Sequence, residues 1–205
     1  MCRHERANRP RLARVNLPLT ICVNCLDPNQ GKEATVQEAG FSVRPATPAD
    51  VPALLRLKRQ LAILENAEFV LRASPQDWLR DGFGPHARFT AFVAEHAGAV
   101  IGMVTASERY YTSWAGCTLY IQDIYVEPDW RGCGMGAALL GCVAALAIEH
   151  GSPLVELTVR EDNPARGLYR GLGFHQIECA NYAIAGLALA NLAGTLRPTP
   201  AAAEL

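Results

Sequence analysis

Residues 119–136 read LYIQDIYVEPDWRGCGMG, an apolar strand-like run followed by a turn and a glycine-rich loop. An Ala- and Leu-rich stretch from about Gly134 to His150 follows and predicts a long helix. In the first turn of a helix the backbone N–H groups lack intrahelical partners, and the helix dipole is positive there. Because glycine lets a backbone approach an anion closely, this strand–loop–helix unit predicts a phosphate-binding site.

Two common nucleotide motifs do not fit the loop. A P-loop needs Gly-x-x-x-x-Gly-Lys-Ser/Thr, and no Lys follows the glycines here. The dinucleotide fingerprint needs Gly-x-Gly-x-x-Gly, whereas Gly132, Gly134 and Gly136 are spaced Gly-x-Gly-x-Gly. Arg131 can add charge-assisted hydrogen bonds to a phosphate. From the loop alone, a glycine turn that only lets a helix pack tightly remains the alternative.

Composition limits the classes of partner. The chain has 19 Lys and Arg against 20 Asp and Glu, which argues against a nucleic-acid surface. Its apolar runs are shorter than the roughly 20 residues that span a bilayer, so we expect no membrane partner. The seven cysteines are scattered, and Cys22-x-x-Cys25 lacks the second pair of a zinc ribbon. We therefore expect free thiols, no metal and a cytoplasmic protein.

The chain divides by composition into three parts. Residues 1–40 mix Arg, Pro, Asn and Gln without periodicity and predict a disordered N-terminal extension. Residues 41–190 carry the strand and helix patterns of one domain, and residues 191–205 are expected to form a flexible tail.

Strand patterns dominate the first half of the domain, and strand–helix units the second. Thr47 and Ser74, each followed by Pro, predict two helix starts, the second helix ending in a loop at residues 81–85. The first helix would bury Leu54, Leu55, Leu57 (or Lys58 through its stem) and Leu61. Strands are predicted at residues 41–44, 89–95, 100–107, 119–126, 154–159 and 181–184, with a short hairpin turn at 96–99 and a further helix at 163–171. The pattern indicates an α+β or mixed α/β fold.

Two segments resemble the signatures of the GNAT superfamily of N-acetyltransferases. The first is Arg131-x-x-Gly134-x-Gly136 after a strand ending in Val126, and the second runs from Asn163 through Leu168-Tyr169 to Leu172-Gly173-Phe174. The resemblance implies a central, mostly antiparallel twisted sheet flanked by helices, with a βα unit that binds acetyl-CoA. It also implies an acyl-CoA-dependent N-acetyltransferase. Tyr169 lies six residues after Asn163 instead of the family's seven, so either the turn is shorter or Asp162 takes the Asn position.

Longer stretches resemble the spermidine/spermine and thialysine acetyltransferase branch of that superfamily. They are residues 41–47, 79–86 and 110–126, and the resemblance extends over about residues 41–185. It implies a small-molecule primary amine as substrate, either a polyamine, a diamine or a thialysine-like compound. It also implies a homodimer.

The resemblance assigns cofactor and catalytic roles. Tyr169 would be the general acid toward the coenzyme A sulfur, because a phenol can donate to a developing thiolate. The main chain at Ile124, Tyr125 and Val126 would hold the pantetheine arm. The remaining acetyl-CoA contacts are expected at Arg131, Gly132, Cys133, Gly134, Met135, Gly136, Asn163 and Ala165.

Three residues are candidates for binding the acceptor. Asp123 and Glu65 carry carboxylates that would attract a cationic amine. Gln122 stands where the polyamine branch usually has a Glu that deprotonates the substrate, and an amide cannot accept that proton at neutral pH. The substitution predicts either a different base or a preference shifted away from polyamines.

Two other functions stay open from the sequence. A protein lysine or N-terminal acetyltransferase would use the same chemistry with an open groove instead of an acidic pocket. A non-catalytic acetyl-CoA sensor is favoured by Gln122 and the shortened turn, but Tyr169 and the complete glycine loop argue against it.

Overall fold

The computed structural model describes residues 40–179 and 181–195. This part of the chain forms two compact units. The first unit ends at Leu168 and the second begins at Tyr169. The strands are β1 (Ser42–Pro45), β2 (Thr90–His96), β3 (Ala99–Tyr111), β4 (Gly116–Val126) and β5 (Val155–Leu157). The helices are α1 (Val51–Leu64), α2 (Pro75–Phe83), α3 (Met135–Glu149), α4 (Arg166–Gly171) and α5 (Gly186–Thr195). Residues 1–39 of the predicted extension lie outside the described ranges.

The five strands of the first unit form one sheet in the order β1-β2-β3-β4-β5. The first three pairings are antiparallel, and the pairing of β4 with β5 is parallel. Antiparallel neighbours can be joined by short turns, whereas a parallel pair needs a crossover, which α3 provides here. The predicted α+β fold with a mostly antiparallel sheet and one βα unit is confirmed. Among the helices of the described ranges, none combines the length and apolar character needed to cross a membrane.

Helices α1 and α3 pack on opposite faces of the sheet. Met103 of β3 is fully buried in a cluster with Leu54 and Leu57 of α1. The adjacent residue Gly102 therefore faces the opposite side of the sheet, since successive residues of a strand face opposite sides. A Cβ atom at Gly102 would lie 3.1 Å from the sulfur of Met135, so α3 sits close against the second face. This contact fixes the start of α3, and with it the glycine loop, beside β4.

The predicted hairpin between β2 and β3 is confirmed. Its two turn residues, Ala97 and Gly98, have φ angles of 47° and 80°. A two-residue turn with both residues at positive φ has the twist that joins antiparallel strands.

Thr47 precedes a 3-10 turn at Pro48–Asp50, and α1 begins only after it, at Val51. The predicted helix start at Ser74 is confirmed, but the end of α2 was predicted wrongly. Ser74 accepts a hydrogen bond from the Asp77 N–H, and the Asp77 carboxylate accepts one in return, forming a capping box. The helix then continues to Phe83, through the stretch that Gly82 had suggested to be a loop. Gly82 is required by packing, because a Cβ there would lie 2.7 Å from the ring of Phe89.

The C-terminal part also differs from the prediction. Strand β5 is shorter than residues 154–159, because its pairing with β4 ends at Leu157. The strand predicted at residues 181–184 is wrong: no pairing forms there in the described ranges, and Tyr182 is 94% exposed. Residues 186–195 form α5, so the first residues of the predicted tail are helical. Ala and Leu, which favour helix, make up most of this segment.

A charged cluster ties β1 to β2 and to the start of α1. Arg44 donates to both oxygens of Asp50, at 2.7 and 2.9 Å, and to Glu95 at 2.8 Å. The N–H and hydroxyl of Thr47 donate to the same carboxylate at 2.7 and 2.9 Å. The hydrogen bonds from Arg44 are the largest influence, and together with those from Thr47 they outweigh burial. They lower the pKa of Asp50 to about 2.

Replacing Asp50 by Asn should reduce the free energy of unfolding by about 2 kcal/mol at pH 7, because a carboxylate with a lowered pKa stabilises the fold while ionised. The difference from wild type should be complete above about pH 4 and shrink as the pH falls toward about 2. Urea unfolding across this range measures it. Asp162→Asn is the control, since its side chain is 71% exposed. A loss of stability that does not depend on pH would contradict the lowered pKa assigned to Asp50.

Candidate active site

One edge of β4 has no strand partner over residues 122–126 within the described part of the chain. On its other edge, β4 stays paired with β3 as far as Val126. Its pairing with β5 ends at Ile121, opposite Leu157. The predicted pantetheine contacts Ile124 and Tyr125 lie in this stretch. An extended ligand with amide groups can therefore add to the edge in the place of a neighbouring strand.

The edge opens at a β-bulge. Thr105 of β3 pairs with Asp123 and Ala106 pairs with Ile121, so Gln122 is the extra residue. A bulge bends the strand and re-aims its side chains. The Gln122 amide donates a hydrogen bond to the Ser107 hydroxyl at 2.9 Å. The sequence placed Gln122 in an uninterrupted strand, because a bulge depends on the neighbouring strand.

The glycine loop has the backbone conformation that an anion site needs. Gly132 and Gly134 have φ angles of 79° and 88°, which L side chains rarely adopt, and a Cβ at either position would meet open space. Gly134 is the N-cap of α3, and its carbonyl accepts the first helical hydrogen bond, from the Ala138 N–H. The N–H groups of the intervening residues lie at the positive end of a 15-residue helix. The conformation and the open space fit a pyrophosphate.

Two predicted loop residues can contribute only through the main chain. Met135 is 1% exposed, with its sulfur against the sheet. Gly136 is needed partly for packing, since a Cβ there would lie 3.0 Å from a methyl group of Leu168. The tight-packing alternative therefore explains Gly136, whereas positive φ explains Gly132 and Gly134.

Arg131 connects the loop to the end of β4. Its Nε donates to the Val126 carbonyl at 2.9 Å, and its guanidinium carbon lies 5.4 Å from the centre of the Tyr125 ring. The exposed Cys133 thiol donates to the Trp130 carbonyl at 2.9 Å. These contacts place a cation where the unpaired edge of β4 and the glycine loop meet.

The second signature forms a turn that leads into α4. The side-chain oxygen of Asn163 accepts a hydrogen bond from the Ala165 N–H at 2.9 Å. The main-chain carbonyl of Asn163 accepts one from the Arg166 N–H at 3.2 Å. This arrangement is an Asx-turn at a helix start. Asp162 instead forms an exposed ion pair with Arg160. Asn163, not Asp162, is therefore the residue that shapes the turn.

Tyr169 is buried at the start of the second unit. It is 8% exposed, and its ring packs against that of Phe174 with centroids 5.8 Å apart. The Tyr169 carbonyl accepts the Phe174 N–H at 3.0 Å. The short helix α4 and the Gly173 turn that follows it, at φ 90°, hold this pair together.

Asp123 faces α1 and forms an ion pair that the sequence did not reveal. The Lys58 ammonium donates to Asp123 Oδ1, and the Thr105 hydroxyl donates to Oδ2 at 3.1 Å. The Asp123 side chain is 12% exposed and that of Lys58 is 29% exposed. The sequence signal that could have revealed this ion pair was the position of Lys58 within the apolar face of α1. Only burial of its aliphatic stem was expected there.

Glu65 caps the C-terminal end of α1 and lines an open cavity of about 340 Å³. The segment after β5, including Thr158, Val159 and Arg160, forms the other wall. The pKa of Arg160 is raised, first by its hydrogen bond to Asp162 and also by the charge of Glu65. Glu65 and Arg160 thus line the same cavity, and the ion-pair partner of Arg160 is Asp162.

The profile of the Acetyltransferase (GNAT) family matches residues 59–174, which include the unpaired edge of β4, the glycine loop and Tyr169. The chain belongs to the GNAT family. It is an acetyl-CoA-dependent N-acetyltransferase of GNAT type, as both signatures had predicted.

The relatives of this GNAT chain include amine acetyltransferases. It is 33% identical to thialysine N-epsilon-acetyltransferase of Sus scrofa over 168 residues, which is 76% of this chain and 99% of that protein. It is 34% identical to human spermidine/spermine N(1)-acetyltransferase-like protein 1 over 114 residues, 53% of this chain and 16% of that longer protein. The predicted branch of the superfamily is thereby confirmed.

Solved structures share the fold of this GNAT chain. An integron cassette protein from the mobile metagenome of V. cholerae superposes with a TM-score of 0.61 at 22% identity, covering 75% of this chain and 98% of that one. An aminoglycoside acetyltransferase from an uncultured soil sample also gives 0.61, at 21% identity, over 71% of this chain and 98% of its own. At these identities the likeness establishes the fold alone.

Proposed function

We propose that this enzyme acetylates a primary amine of a small molecule, of the polyamine, diamine or thialysine-like class. The observation that carries the proposal is the relation to thialysine N-epsilon-acetyltransferase over 99% of that protein's length. The glycine loop and the open edge of β4, both of which the reaction needs, support it.

The geometry of the first unit supports the proposed acetyl-CoA contacts. The N–H groups of the first turn of α3, reached past Gly132 and Gly134, would hold the pyrophosphate with Arg131. The main chain at residues 124–126 would bind the pantetheine amides, with Asn163 and Ala165 as further contacts. No metal is needed, since these groups supply the positive charge.

The transfer is a direct attack. The neutral amine nitrogen attacks the thioester carbonyl carbon, a C–N bond forms, and the C–S bond breaks. The amine proton leaves to a base, and the Tyr169 phenol protonates the departing sulfur before it recovers a proton from solvent. Gln122 cannot be the base, so water or another group takes the amine proton.

Gln122→Glu should raise the turnover of spermidine several-fold, because a carboxylate at this position can accept the amine proton. The Ser107 hydroxyl, now an acceptor from the Gln122 amide at 2.9 Å, can instead donate to the new carboxylate. Rates at saturating acetyl-CoA measure the effect. Gln76→Glu adds the same charge at the exposed start of α2 and should change nothing. An unchanged or slower rate for Gln122→Glu would contradict the role.

The domain bounds, the oligomeric state, the partners and the location of the enzyme are proposed from the sequence. We propose that residues 41–190 form the catalytic domain and that the enzyme is a cytoplasmic homodimer without nucleic-acid or membrane partners. Sedimentation of the purified chain tests the dimer.

A thiol-release assay tests the function itself. Acetyl-CoA is offered with spermidine, putrescine, thialysine, lysine and a lysine-containing peptide. Release with small amines and not with the peptide supports the proposal, whereas release with the peptide alone overturns it in favour of a protein acetyltransferase. Acetyl-CoA binding without release for any acceptor would identify a sensor.

A further inference from the structure

The carboxylate of Asp123 is occupied on both oxygens by groups of the chain itself. Lys58 donates to Oδ1 and Thr105 donates to Oδ2, at 3.1 Å for the latter. Thr105 is 3% exposed, and the Asp123 side chain is 12% exposed. An acceptor ammonium that approached Asp123 would therefore meet a carboxylate that already has its counterion.

The position of Lys58 on α1 keeps its ammonium beside the Asp123 carboxylate. Lys58 follows Leu54 by four residues and precedes Leu61 by three, and both leucines are buried against the sheet. Residues three and four apart share one face of a helix, so the Lys58 side chain starts on the buried side of α1. The ammonium is thus a primary amine cation built into the protein at the place where a substrate's cation would bind.

The other predicted acceptor groups carry different charges. Gln122 is uncharged, and Glu65 lines a cavity with Arg160, whose guanidinium is paired with Asp162. Of the two carboxylates assigned to the acceptor, Asp123 is the one that forms an ion pair with a basic residue of the chain. A site that binds a multiply charged amine needs carboxylates left uncompensated, because attraction between charges decides such recognition.

We propose that Lys58 is a specificity-determining residue: by occupying Asp123 it selects against acceptors that bring an additional ammonium group to this carboxylate. Acceptors with one cationic group should bind equally well with Lys58 in place. The same holds for acceptors whose second cationic group is balanced by a carboxylate of their own. The inference rests on the proposed function and narrows its substrate class away from polyamines.

Lys58→Met tests the inference, because Met keeps most of the stem and removes the charge. Spermidine should bind this variant about tenfold more tightly by calorimetry, and its KM should fall by a similar factor. The KM of propylamine, a single cation, should change less than threefold. Arg59→Met is the matched control: it removes the same charge from an exposed position on the same helix and should leave spermidine binding unchanged.

Two further variants keep the test decisive. Lys58→Arg should retain the wild-type ratio of spermidine to propylamine KM, and adding Asp123→Asn to Lys58→Met should abolish the gain in spermidine binding. If Lys58→Met fails to fold, Lys58→Gln replaces it, with thermal unfolding as the check. Unchanged spermidine binding in a folded variant overturns the inference. Absence of acetyl transfer to every amine would overturn the proposed function instead, while the binding measurement still decides the role of Lys58.

Discussion

Gly134→Ala is expected to weaken acetyl-CoA binding by about 10- to 100-fold. Gly134 has a φ of 88°, so a side chain there strains the backbone and shifts the N–H groups that follow it at the start of α3. The Cβ would also project into the open space in front of the loop, where the pyrophosphate would approach. Calorimetry gives the Kd of acetyl-CoA, and initial rates give its KM.

Gly98→Ala is a matched control for this loss. Gly98 has a φ of 80° and equally open surroundings, but it lies in the β2–β3 turn. Both variants should lower the free energy of unfolding by about 1–2 kcal/mol, because both strain the backbone at a positive φ. Gly98→Ala should leave acetyl-CoA binding unchanged. If the two variants bound acetyl-CoA equally well, the glycine loop would not be the pyrophosphate site.

Tyr169→Phe is expected to lower kcat by about 100-fold, within the range that general acids contribute. The KM for acetyl-CoA should change little, because the lost proton donation matters in the transition state and not in binding. The ring should keep its packing on Phe174, and thermal unfolding checks that the variant is folded.

Stopped-flow and steady-state assays with the preferred amine measure this change. Tyr182→Phe removes an identical hydroxyl from a side chain that is 94% exposed in the same unit, and it should leave kcat unaffected. A decrease of less than threefold in a correctly folded Tyr169→Phe would remove Tyr169 from the catalytic step.

Local features of the fold were predictable because neighbours in the sequence decide them. The capping box at Ser74, the turn at Gly98 and the strand–loop–helix around Gly134 each depend on a few consecutive residues. Gly82 shows the limit of such reasoning. It looked like a helix end, but the Phe89 ring packs where a side chain would be, and α2 continues past it.

The sequence names the candidate site residues but does not contain their electrostatic environment. The positive φ of Gly132 and Gly134 could be expected, because glycine adopts this conformation without steric cost. The partner of Asp123 is 65 residues away in sequence, and the bulge at Gln122 exists only in relation to β3. No pattern within one segment contains either fact.

The sequence by itself determined the family, the glycine loop before α3 and the likeness to amine acetyltransferases, because these reside in contiguous motifs with fixed spacing. The tertiary structure alone decided where β4 parts from β5 and which charge faces Asp123. Strand pairing and ion pairs join distant residues, and their energy depends on a distance and a burial that only the folded chain defines. For this reason the acceptor preference is to be sought in the contact between Lys58 and Asp123.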